Sequence, residues 1–439
     1  MEFDALIIGS GPAGYAAAIR IGQRGGKVAL FEKDRIGGEC LNYGCIPSKA
    51  LIELSTNVYA VKKTPGMKAS LAMDLGEWQK WKWSMIGKLT SGVETLCKAY
   101  GGQIIKGEAR IVNSTTVAVG DQEYTGKYLI IATGSSPVRI KGMEDALDNR
   151  GVLDLKKIPD QLVVIGGGYI GIEIGTAMAK LGSHVTIVEM MDSILPGIDP
   201  DLVNPVSRKL KEFGIEVLTA TRVKSVSKEE KFTVTLENGR ELVSDQVLLT
   251  VGRAPNTTGF GMESLGLKMN GKYVWTDETK RTSIAGVYAI GDVSGEPMLA
   301  HKAYYDAEVA AANIMGEEAV VEYQAMPFVV YSDPEISSTG KKGDKTAVFP
   351  LAANGRAMTM DSTIGTFRIY TDESGTITGA GIVAPHSSEM ISEISLAVEA
   401  GLSASDIGMT IHPHPTVTEG LKEAAEGVDG KPLHFKTGR

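Results

Sequence analysis

The sequence predicts an α/β protein with two dinucleotide-binding units and a C-terminal α+β unit, and three observations carry this prediction. The chain has 439 residues, enough for about three domains of ordinary size. A strand, a glycine-rich turn, a helix and a second strand that ends in an acid occur twice along it. Short apolar strands that end in glycine follow each copy. Strands that alternate with helices in this way are typical of α/β folds.

The composition is that of a soluble globular protein, and it excludes several function classes. Hydrophobic residues make up 43% of the chain and charged residues 22%. A formal charge of −8 without a basic block argues against nucleic acid as a partner. No apolar run approaches the roughly 18 residues of a membrane-spanning helix, so we expect no membrane association. The chain enters a strand-like segment at 5–8 without a targeting segment, and we therefore expect a cytoplasmic protein.

The two copies of the glycine-rich unit have the pattern of Rossmann-like nucleotide-binding domains. In both, the acid follows the first glycine by 23 residues, close to the expected offset of about 20. Glycine lets a pyrophosphate approach the backbone at a helix N-terminus, where free N–H groups bind it. Two purely structural glycine turns are the alternative. The residues are Gly9, Gly11, Gly14 and Glu32 in the first copy and Gly166, Gly168, Gly171 and Glu189 in the second.

The acids at the ends of the two units predict which nucleotide each unit binds. Both carboxylates are placed to accept hydrogen bonds from an adenosine ribose, and a carboxylate repels a 2′-phosphate. No arginine follows Glu189 in the segment 190–192, so the second unit should prefer NAD over NADP, unless Glu189 faces solvent. A pair of cysteines follows Glu32 in the first unit, and a redox disulfide needs an electron partner in contact with it. We therefore expect FAD in the first unit.

The later strands suggest how the chain divides into domains. We expect an FAD domain at 1–143, an NAD domain at 144–267, a segment at 268–323 that completes the FAD domain, and an α+β domain at 324–439. The segment 268–323 is assigned to the FAD domain because Asp292 follows a strand and a glycine, and would bind a ribityl hydroxyl of FAD. Short strands near 366–370 and 377–383 and a helix near 388–400 are expected in the last domain. The segment 67–83, with three of the four tryptophans, is expected to be irregular.

The first two of the three cysteines are spaced for a reversible redox disulfide. Cys40 and Cys45 lie five residues apart, and Pro47 predicts a helix that begins near Cys45. A thiolate at a helix N-terminus is stabilised by free N–H groups and the helix dipole. Two free thiols or half of a metal site are the alternatives. The sequence has no matching Cys/His cluster, so we expect no bound metal. Cys97 is expected to be an apolar filler in a helix.

A histidine near the C-terminus is the second chemical feature of the sequence. A thiol substrate must be deprotonated before it attacks a disulfide, and histidine titrates in the right range to do this. His414 stands between two prolines, one of which could follow a cis peptide bond. Glu419, on the helix expected after Pro415, would hold the imidazole and raise its basicity. Taken alone, such a histidine is more often structural.

Together these motifs resemble the flavin-dependent pyridine nucleotide–disulfide oxidoreductases, and the match extends through nearly the whole chain. It is closest to the members that oxidise dihydrolipoamide with NAD. The matching segments are 9–14, Glu32, 38–49, 132–134, the second glycine motif with Glu173, 252–256, 291–292, 298–303 and 412–419.

The resemblance implies a role for each matching residue. Cys40 would exchange with the substrate, and Cys45 would face the flavin. Lys49 would lie beside the flavin and pair with Glu173. His414, with Glu419, would act as base in the active site of the other subunit, so the protein would work as a homodimer. Cofactor-binding positions, beyond those of the two glycine motifs, would be Thr133, Gly134, Asp292, Ala300 and Gly252.

The resemblance also implies partners. The sequence departs from the family pattern at three places. The expected substrate is lipoamide or a lipoyl domain, and the acyltransferase core of a 2-oxo acid dehydrogenase complex, or a glycine cleavage system, is a candidate assembly. Glu39 and Pro413 are unusual at their positions, and the connection between Gly340 and Phe349 is short. A reductase of another small disulfide is the alternative within the family. A flavoprotein that serves assembly or sensing is the alternative of another class.

Overall fold

The computed structural model describes residues 2–436, and its first sheet contains seven strands. Strands β1, β2 and β3 and a later strand, β18 (Val287–Ala289), lie parallel to one another and to the long β6. Strands β4 and β5 continue the sheet in antiparallel pairing. Helices α1 and α8 pack together on this unit. The elements up to β7 are β1 Phe3–Ile8, α1 Pro12–Gln23, β2 Val28–Glu32, α2 Gly38–Tyr43, α3 Cys45–Lys63, α4 Leu75–Ala99, β3 Gly102–Lys106, β4 Ala109–Asn113, β5 Thr116–Val119, β6 Gln122–Ile131 and β7 Ser135–Pro137.

The second unit repeats this plan with a smaller sheet. Four parallel strands lie in the order β10-β9-β8-β14, and a separate three-stranded antiparallel sheet, β11-β12-β13, packs beside them. The short β15 pairs with β7 and links this unit to the first. The elements are α5 Asn149–Leu153, β8 Gln161–Ile165, α6 Tyr169–Leu181, β9 His184–Val188, α7 Pro200–Glu212, β10 Glu216–Leu218, β11 Val223–Lys228, β12 Phe232–Leu236, β13 Glu241–Ser244, β14 Gln246–Leu249 and β15 Arg253–Pro255.

The chain then returns to the first sheet. Strand β18 pairs with β6, and α8 follows it across the face of α1. Because β18 is buried and Gly291 follows shortly after its last residue, Ala289, the strand places Asp292 at the same sheet edge as the first glycine turn. The elements are β16 Met269–Asn270, β17 Tyr273–Val274, β18 Val287–Ala289 and α8 Ala300–Ile314.

The last unit is a five-stranded antiparallel sheet, in the order β19-β20-β23-β22-β21, covered by α10 and α12. The two strands and the helix expected at 366–370, 377–383 and 388–400 are confirmed. The elements are β19 Phe328–Val330, β20 Glu335–Gly340, β21 Lys345–Pro350, α9 Gly355–Thr359, β22 Thr366–Thr371, β23 Ile377–Ala384, α10 Ser387–Glu399, α11 Ala404–Met409 and α12 Glu419–Val428.

The short connection noted in the sequence spans this sheet from β20 to β21. Two strands lie between them, so residues 341–344 cross the end of the β22–β23 hairpin. A Cβ atom at Gly343 would lie 2.2 Å from the carbonyl oxygen of Thr371, which shows how closely the connection follows the hairpin. Glycine is required there because no side chain fits.

The expectation of an irregular segment at 67–83 is wrong from Leu75 onward. Helix α4 begins there, and the Asp74 side chain caps it by accepting a hydrogen bond from the Glu77 N–H at 3.1 Å. The buried positions of its first half have helical spacing, but polar Gln79 and Lys82 occupy two of them. Because these side chains hid the apolar periodicity, the sequence pattern did not reveal the helix.

No helix within residues 2–436 is both long enough and apolar enough to cross a membrane. Residues 437–439 lie outside the described residues.

Candidate active site

A cavity of about 450 Å³ opens at the carboxyl ends of the first sheet's parallel strands. Seven of the predicted cofactor-binding residues from the first unit line it, together with Lys49 and both cysteines of the pair. They are Gly9, Gly11, Glu32, Thr133, Gly134, Asp292 and Ala300. Open α/β sheets bind ligands at this edge.

The first glycine turn is built so that a ligand can lie against the backbone. Gly9 has a φ of +97°, and a Cβ atom there would lie 2.4 Å from the Ala132 carbonyl oxygen. A Cβ atom at Gly14 would lie 1.8 Å from the Gly9 carbonyl oxygen. The turn can therefore pack against the start of α1 only if residue 14 is glycine. At Gly11, the N-cap of α1, no atom lies within 4 Å of the Cβ position. This open space at a helix N-terminus fits a pyrophosphate.

Glu32 closes the same turn from the end of β2. One carboxylate oxygen accepts hydrogen bonds from the backbone N–H and the hydroxyl of Ser10, at 3.0 and 2.6 Å. The other oxygen accepts from the Asp34 N–H at 2.8 Å. Glu32 therefore fixes the loop, and its carboxylate, which lines the cavity, keeps free lone pairs for a further donor.

The second glycine motif reproduces this arrangement. A Cβ atom at Gly166 would lie 2.5 Å from the Thr250 carbonyl oxygen, and one at Gly171 2.2 Å from the Gly166 carbonyl oxygen, while Gly168 faces open space. Glu189 accepts from the Gly167 and Met191 N–H groups at 2.6 and 2.8 Å.

Glu189 is 5% exposed, so the alternative that it faces solvent is wrong. The three glycines, Glu189 and Gly252 are not among the residues that line the first cavity. Tyr169, Ile170 and Glu173, on the helix that the second glycine motif opens, do line it. The second unit thus presents one face of α6 to the cavity of the first.

Cys40 and Cys45 form a disulfide, with their Cα atoms 4.7 Å apart. Cys45 is the first residue of α3, as the sequence predicted, and Cys40 lies in the short helix α2. Asn42, which is buried, donates to the carbonyl oxygens of Ile36 and Gly38 and so holds the loop that returns Cys40 to Cys45. The third cysteine, Cys97, is a buried free thiol, as expected.

Lys49 lies one turn beyond Cys45 and forms an ion pair with Glu173. Its Nζ atom lies 2.8 Å from Glu173 Oε2, and Glu173 is 4% exposed. The other carboxylate oxygen accepts the backbone N–H of Tyr331 at 3.0 Å. Lys49 Nζ also lies 4.2 Å from the centroid of the Tyr331 ring. No motif in the sequence pointed to Tyr331, which brings a third part of the chain to this pair.

Asp292 and Thr133 are held by residues that carried no assigned role in the sequence. The Ser135 hydroxyl donates to Asp292 Oδ2 at 2.5 Å, and Arg253 Nε donates to that hydroxyl at 2.8 Å. The Thr133 hydroxyl donates to the Asn256 carbonyl oxygen at 2.7 Å. The pairing of β7 with β15 brings these residues together.

Glu39, the unusual neighbour of Cys40, is tied to α5. Its carboxylate accepts from Asn149 Nδ2 at 2.8 Å and from Arg150 Nε at 3.0 Å. The Arg150 guanidinium lies 4.0 Å from the centroid of the Tyr43 ring. This network anchors the cysteine loop on the segment that leads into the second unit.

His414 and Glu419 form the pair that the sequence predicted. His414 Nδ1 lies 2.9 Å from Glu419 Oε1, and the His414–Pro415 peptide bond is cis. Partial burial acts to raise the pKa of Glu419, but hydrogen bonds from the Thr416 N–H and from His414 outweigh it and lower that pKa. The His414 side chain is 79% exposed and does not line its own chain's cavity. Within one chain, the pair and the disulfide are therefore not brought together.

Comparisons with known proteins decide the family. Residues 3–307 match the model of the pyridine nucleotide-disulphide oxidoreductases, and residues 326–425 match the dimerisation domain of that family. This chain belongs to the pyridine nucleotide-disulphide oxidoreductases. The resemblance read from the motifs is therefore confirmed.

Several relatives of this oxidoreductase match over nearly their whole length. The dihydrolipoyl dehydrogenase of Geobacillus stearothermophilus is 45% identical over 100% of this chain and 98% of its own. The dihydrolipoyl dehydrogenase of Halobacterium salinarum is 40% identical over 98% of this chain and 97% of its own. Among solved structures, LpdA of Mycobacterium tuberculosis has a TM-score of 0.90 at 27% identity, covering 96% of this chain and 99% of its own. The HOCl-induced flavoprotein disulfide reductase RclA of Escherichia coli has a TM-score of 0.88 at 27% identity, covering 97% and 99%.

The family settles several expectations drawn from the sequence. FAD and NAD are the cofactors of the oxidoreductase, and the protein is an enzyme. The fold class is confirmed, with the C-terminal α+β unit as dimerisation domain, which supports the homodimer. Large apolar side chains remain exposed on that domain of the single chain, among them Met409 at 81% and Ile411 at 94%. Burial of such side chains between subunits would stabilise a dimer.

Proposed function

We propose that this oxidoreductase is a dihydrolipoyl dehydrogenase, which moves two electrons from dihydrolipoamide through the Cys40–Cys45 disulfide and FAD to NAD⁺. One observation carries the proposal: the disulfide lines the same cavity as the first glycine turn, beside the Lys49–Glu173 pair. A disulfide in this position can exchange with a thiol substrate and pass electrons to a flavin. Full-length relatives named dihydrolipoyl dehydrogenase support the choice of substrate.

In the proposed mechanism, the protein's own residues carry out the thiol steps. His414 of the partner subunit takes the proton of one substrate thiol, and the thiolate attacks Cys40 Sγ. The Cys40–Cys45 bond breaks, and Cys45 leaves as a thiolate that the N-terminus of α3 stabilises. The second substrate thiol then attacks the mixed disulfide and passes its proton to the Cys40 sulfur, which releases lipoamide and the Cys40 thiol. FAD, when bound, would supply the two-electron chemistry that links the reduced cysteines to NAD⁺, and Cys45 would be the cysteine that faces it.

The positioning residues have separate tasks in this scheme. Gly9, Gly11, Gly14 and Glu32 would hold the pyrophosphate and ribose of FAD, and Asp292 would hold its ribityl chain. Gly166, Gly168, Gly171 and Glu189 would do the same for NAD. Lys49 would place a positive charge beside the flavin ring, with Glu173 holding its ammonium. Thr133, Gly134, Ala300 and Gly252 would form the cofactor-facing backbone.

We also propose NAD rather than NADP as the acceptor. The buried Glu189 carboxylate would meet a 2′-phosphate with repulsion, and its hydrogen bonds to Gly167 and Met191 prevent it from moving aside cheaply. We expect kcat/KM for NADH to exceed that for NADPH by at least about 100-fold, equivalent to roughly 3 kcal/mol. Steady-state rates with both nucleotides measure the ratio. Equal rates would contradict the assignment.

The cellular setting proposed is a cytoplasmic homodimer that receives lipoyl domains from a 2-oxo acid dehydrogenase complex or a glycine cleavage system. The domain bounds at 1–143, 144–267, 268–323 and 324–439 belong to the same proposal. Pairing of β18 with β6 supports the return of the third segment to the first domain.

The decisive experiment is an anaerobic titration of the purified holoenzyme with dihydrolipoamide and then NAD⁺. We expect long-wavelength charge-transfer absorbance from the Cys45 thiolate, followed by formation of NADH. A Cys45→Ser variant should keep its FAD and lose this turnover, whereas Cys97→Ala should keep both, since Cys97 lies outside the cavity. A flavin that dihydrolipoamide leaves oxidised but NADH reduces would move the substrate to another disulfide.

A further inference from the structure

A buried cluster of charges lies behind the turn that carries Asp292, and the thiol chemistry does not use it. Its charged members are Lys280, Lys302 and Asp306, and the partly exposed Tyr323 adds a hydroxyl. The side chains of the two lysines are 5% and 3% exposed, and that of Asp306 is 0% exposed. Lysines are almost never so deeply buried without a specific partner.

A single carboxylate serves every donor in this cluster. Asp306 Oδ2 accepts from the Gly291 N–H and from Lys302 Nζ, both at 3.0 Å. Asp306 Oδ1 accepts from the Tyr323 hydroxyl, and Lys280 Nζ lies 3.3 Å from it. Among residues 2–436, Asp306 is the only carboxylate within ion-pair distance of either lysine. At ion-pair distance two ammonium groups therefore share one negative charge, and the Asp277 carboxylate attracts Lys280 from beyond that distance.

The cluster is directly connected to the cavity wall. Gly291 and Asp292 line the cavity from the turn, and Ala300 and Ala303 line it from the first turn of α8. Lys302 lies between those two alanines in the sequence of α8. A Cβ atom at Gly291, which has a φ of +74°, would lie 3.0 Å from Ala13 Cβ and 3.4 Å from Ala303 Cβ. The turn is thus packed tightly between two helices and held at its N–H by Asp306.

Burial of these charges has a free-energy cost, which a purely structural role would not require. Burial lowers the pKa of Lys280, which shows that the protein interior disfavours its ammonium. An apolar side chain of similar length would fill the space without that cost. A positive charge next to a bound group that accepts electrons would stabilise the reduced form of that group. Such a role would account for the buried lysines.

We propose that Asp306 positions the Gly291–Asp292 turn, and that the excess positive charge of the Lys280–Lys302–Asp306 cluster raises the reduction potential of FAD bound in the cavity. The inference rests on the proposed function, because it requires FAD at the first glycine motif. Reduction by two electrons adds negative charge to the cofactor unless two protons follow. A nearby net positive charge in a medium of low dielectric favours that reduced form.

The test measures the flavin potential in a Cys40→Ser/Cys45→Ser background, where the flavin is the only redox group. Lys280→Met in this background should lower the potential. At a fixed ratio of oxidised to reduced reference dye, the ratio of reduced to oxidised flavin should fall on the order of tenfold. Lys272→Met, which removes an exposed charge from the same segment, should leave that ratio unchanged. An unchanged ratio in Lys280→Met overturns the proposal.

A second variant separates charge from packing. Tyr323→Phe removes a hydrogen bond to Asp306 but no charge, so it should leave the potential unchanged. If it lowers the potential as much as Lys280→Met does, the effect is structural and the proposal fails.

The positioning role of Asp306 is tested by Asp306→Leu, with binding of FAD to the apoprotein measured by equilibrium dialysis. We expect this variant to bind FAD at least about tenfold more weakly, because the Gly291 N–H loses its acceptor. Purified protein that contains no flavin would instead contradict the proposed function.

Discussion

The ammonium of Lys49 lies 2.8 Å from the Glu173 carboxylate, and this contact joins the helix that begins at Cys45 to the helix of the second glycine motif. Glu173 is buried, so its charge needs a partner that stays in place. Lys49 is one-third exposed toward the cavity and supplies that partner. The pair therefore couples the disulfide-bearing unit to the unit proposed to bind NAD.

Removing either member of this pair should slow reduction of the flavin by NADH by at least about tenfold, since each leaves the other charge unpaired. Lys49→Met, Glu173→Gln and the double variant form a cycle that stopped-flow absorbance can measure. We expect a coupling energy at least as large as the smaller single effect, so that the double variant is no slower than the worse single one. The exposed pair Glu94–Lys98 provides the control, with rates near wild type throughout. Additive effects at Lys49 and Glu173 would show that the two act independently.

Tyr331 should contribute to the position of Lys49 through its ring and not through its hydroxyl. Its ring lies 4.2 Å from the ammonium, and its backbone N–H binds Glu173 whatever side chain is present. Tyr331→Phe should therefore stay within about twofold of the wild-type rate of flavin reduction, while Tyr331→Leu should be about five- to tenfold slower, as the loss of a partly desolvated cation–π contact predicts. Equal rates for the two variants would assign the ring no role.

The exposed position of His414 makes its action across the dimer testable with hybrid dimers. Cys45→Ser and His414→Gln subunits are each expected to be inactive with dihydrolipoamide. A purified dimer of one of each contains one site with an intact disulfide and an intact histidine if the histidine acts in the partner's site. Such hybrids should then show about half the activity of the wild-type dimer, because one of two sites is complete. No activity in the hybrid would place the histidine in its own chain's site.

Local sequence signals predicted much of the fold and the motif-bearing part of the site. The glycine turns were predictable because part of their packing is local: Gly14 approaches the Gly9 carbonyl oxygen, and Gly171 approaches that of Gly166. The helix that begins at Cys45 was predictable because Pro47 marks its first turn. Helix α4 was missed because Gln79 occupies part of its buried face.

Contacts between distant segments could not be predicted in the same way. Tyr331 meets Glu173 across 158 residues, and Asn149 meets Glu39 across 110. No periodicity or short motif connects residues so far apart, and only the packed sheets bring them together. The proximity of Lys280 to Asp306 likewise follows from the return of the chain to the first sheet.

The surroundings of Lys82 predict a stability that rises with pH in the alkaline range. Its side chain is 1% exposed, its Nζ atom donates to the Leu153 carbonyl oxygen at 2.7 Å, and burial lowers its pKa to about 8. Between pH 8 and the unfolded value near 10.5, the unfolded chain binds more protons than the folded one, so the free energy of unfolding increases with pH. Below pH 8, holding the charge costs up to roughly 3 kcal/mol.

Lys82→Met should therefore be more stable than the wild type at pH 7, and its advantage should shrink as the pH rises from 8 to 10. Gln79 still donates to the Leu153 carbonyl oxygen at 3.1 Å, so the substitution leaves that acceptor paired. Apparent melting temperatures of both proteins at pH 7, 8, 9 and 10 measure the difference. Lys80→Met, on the exposed side of the same helix, should show no such pH-dependent difference. An advantage of Lys82→Met that stays constant over this range would mean that the folded protein keeps Lys82 charged throughout, and that the stability change comes from packing alone.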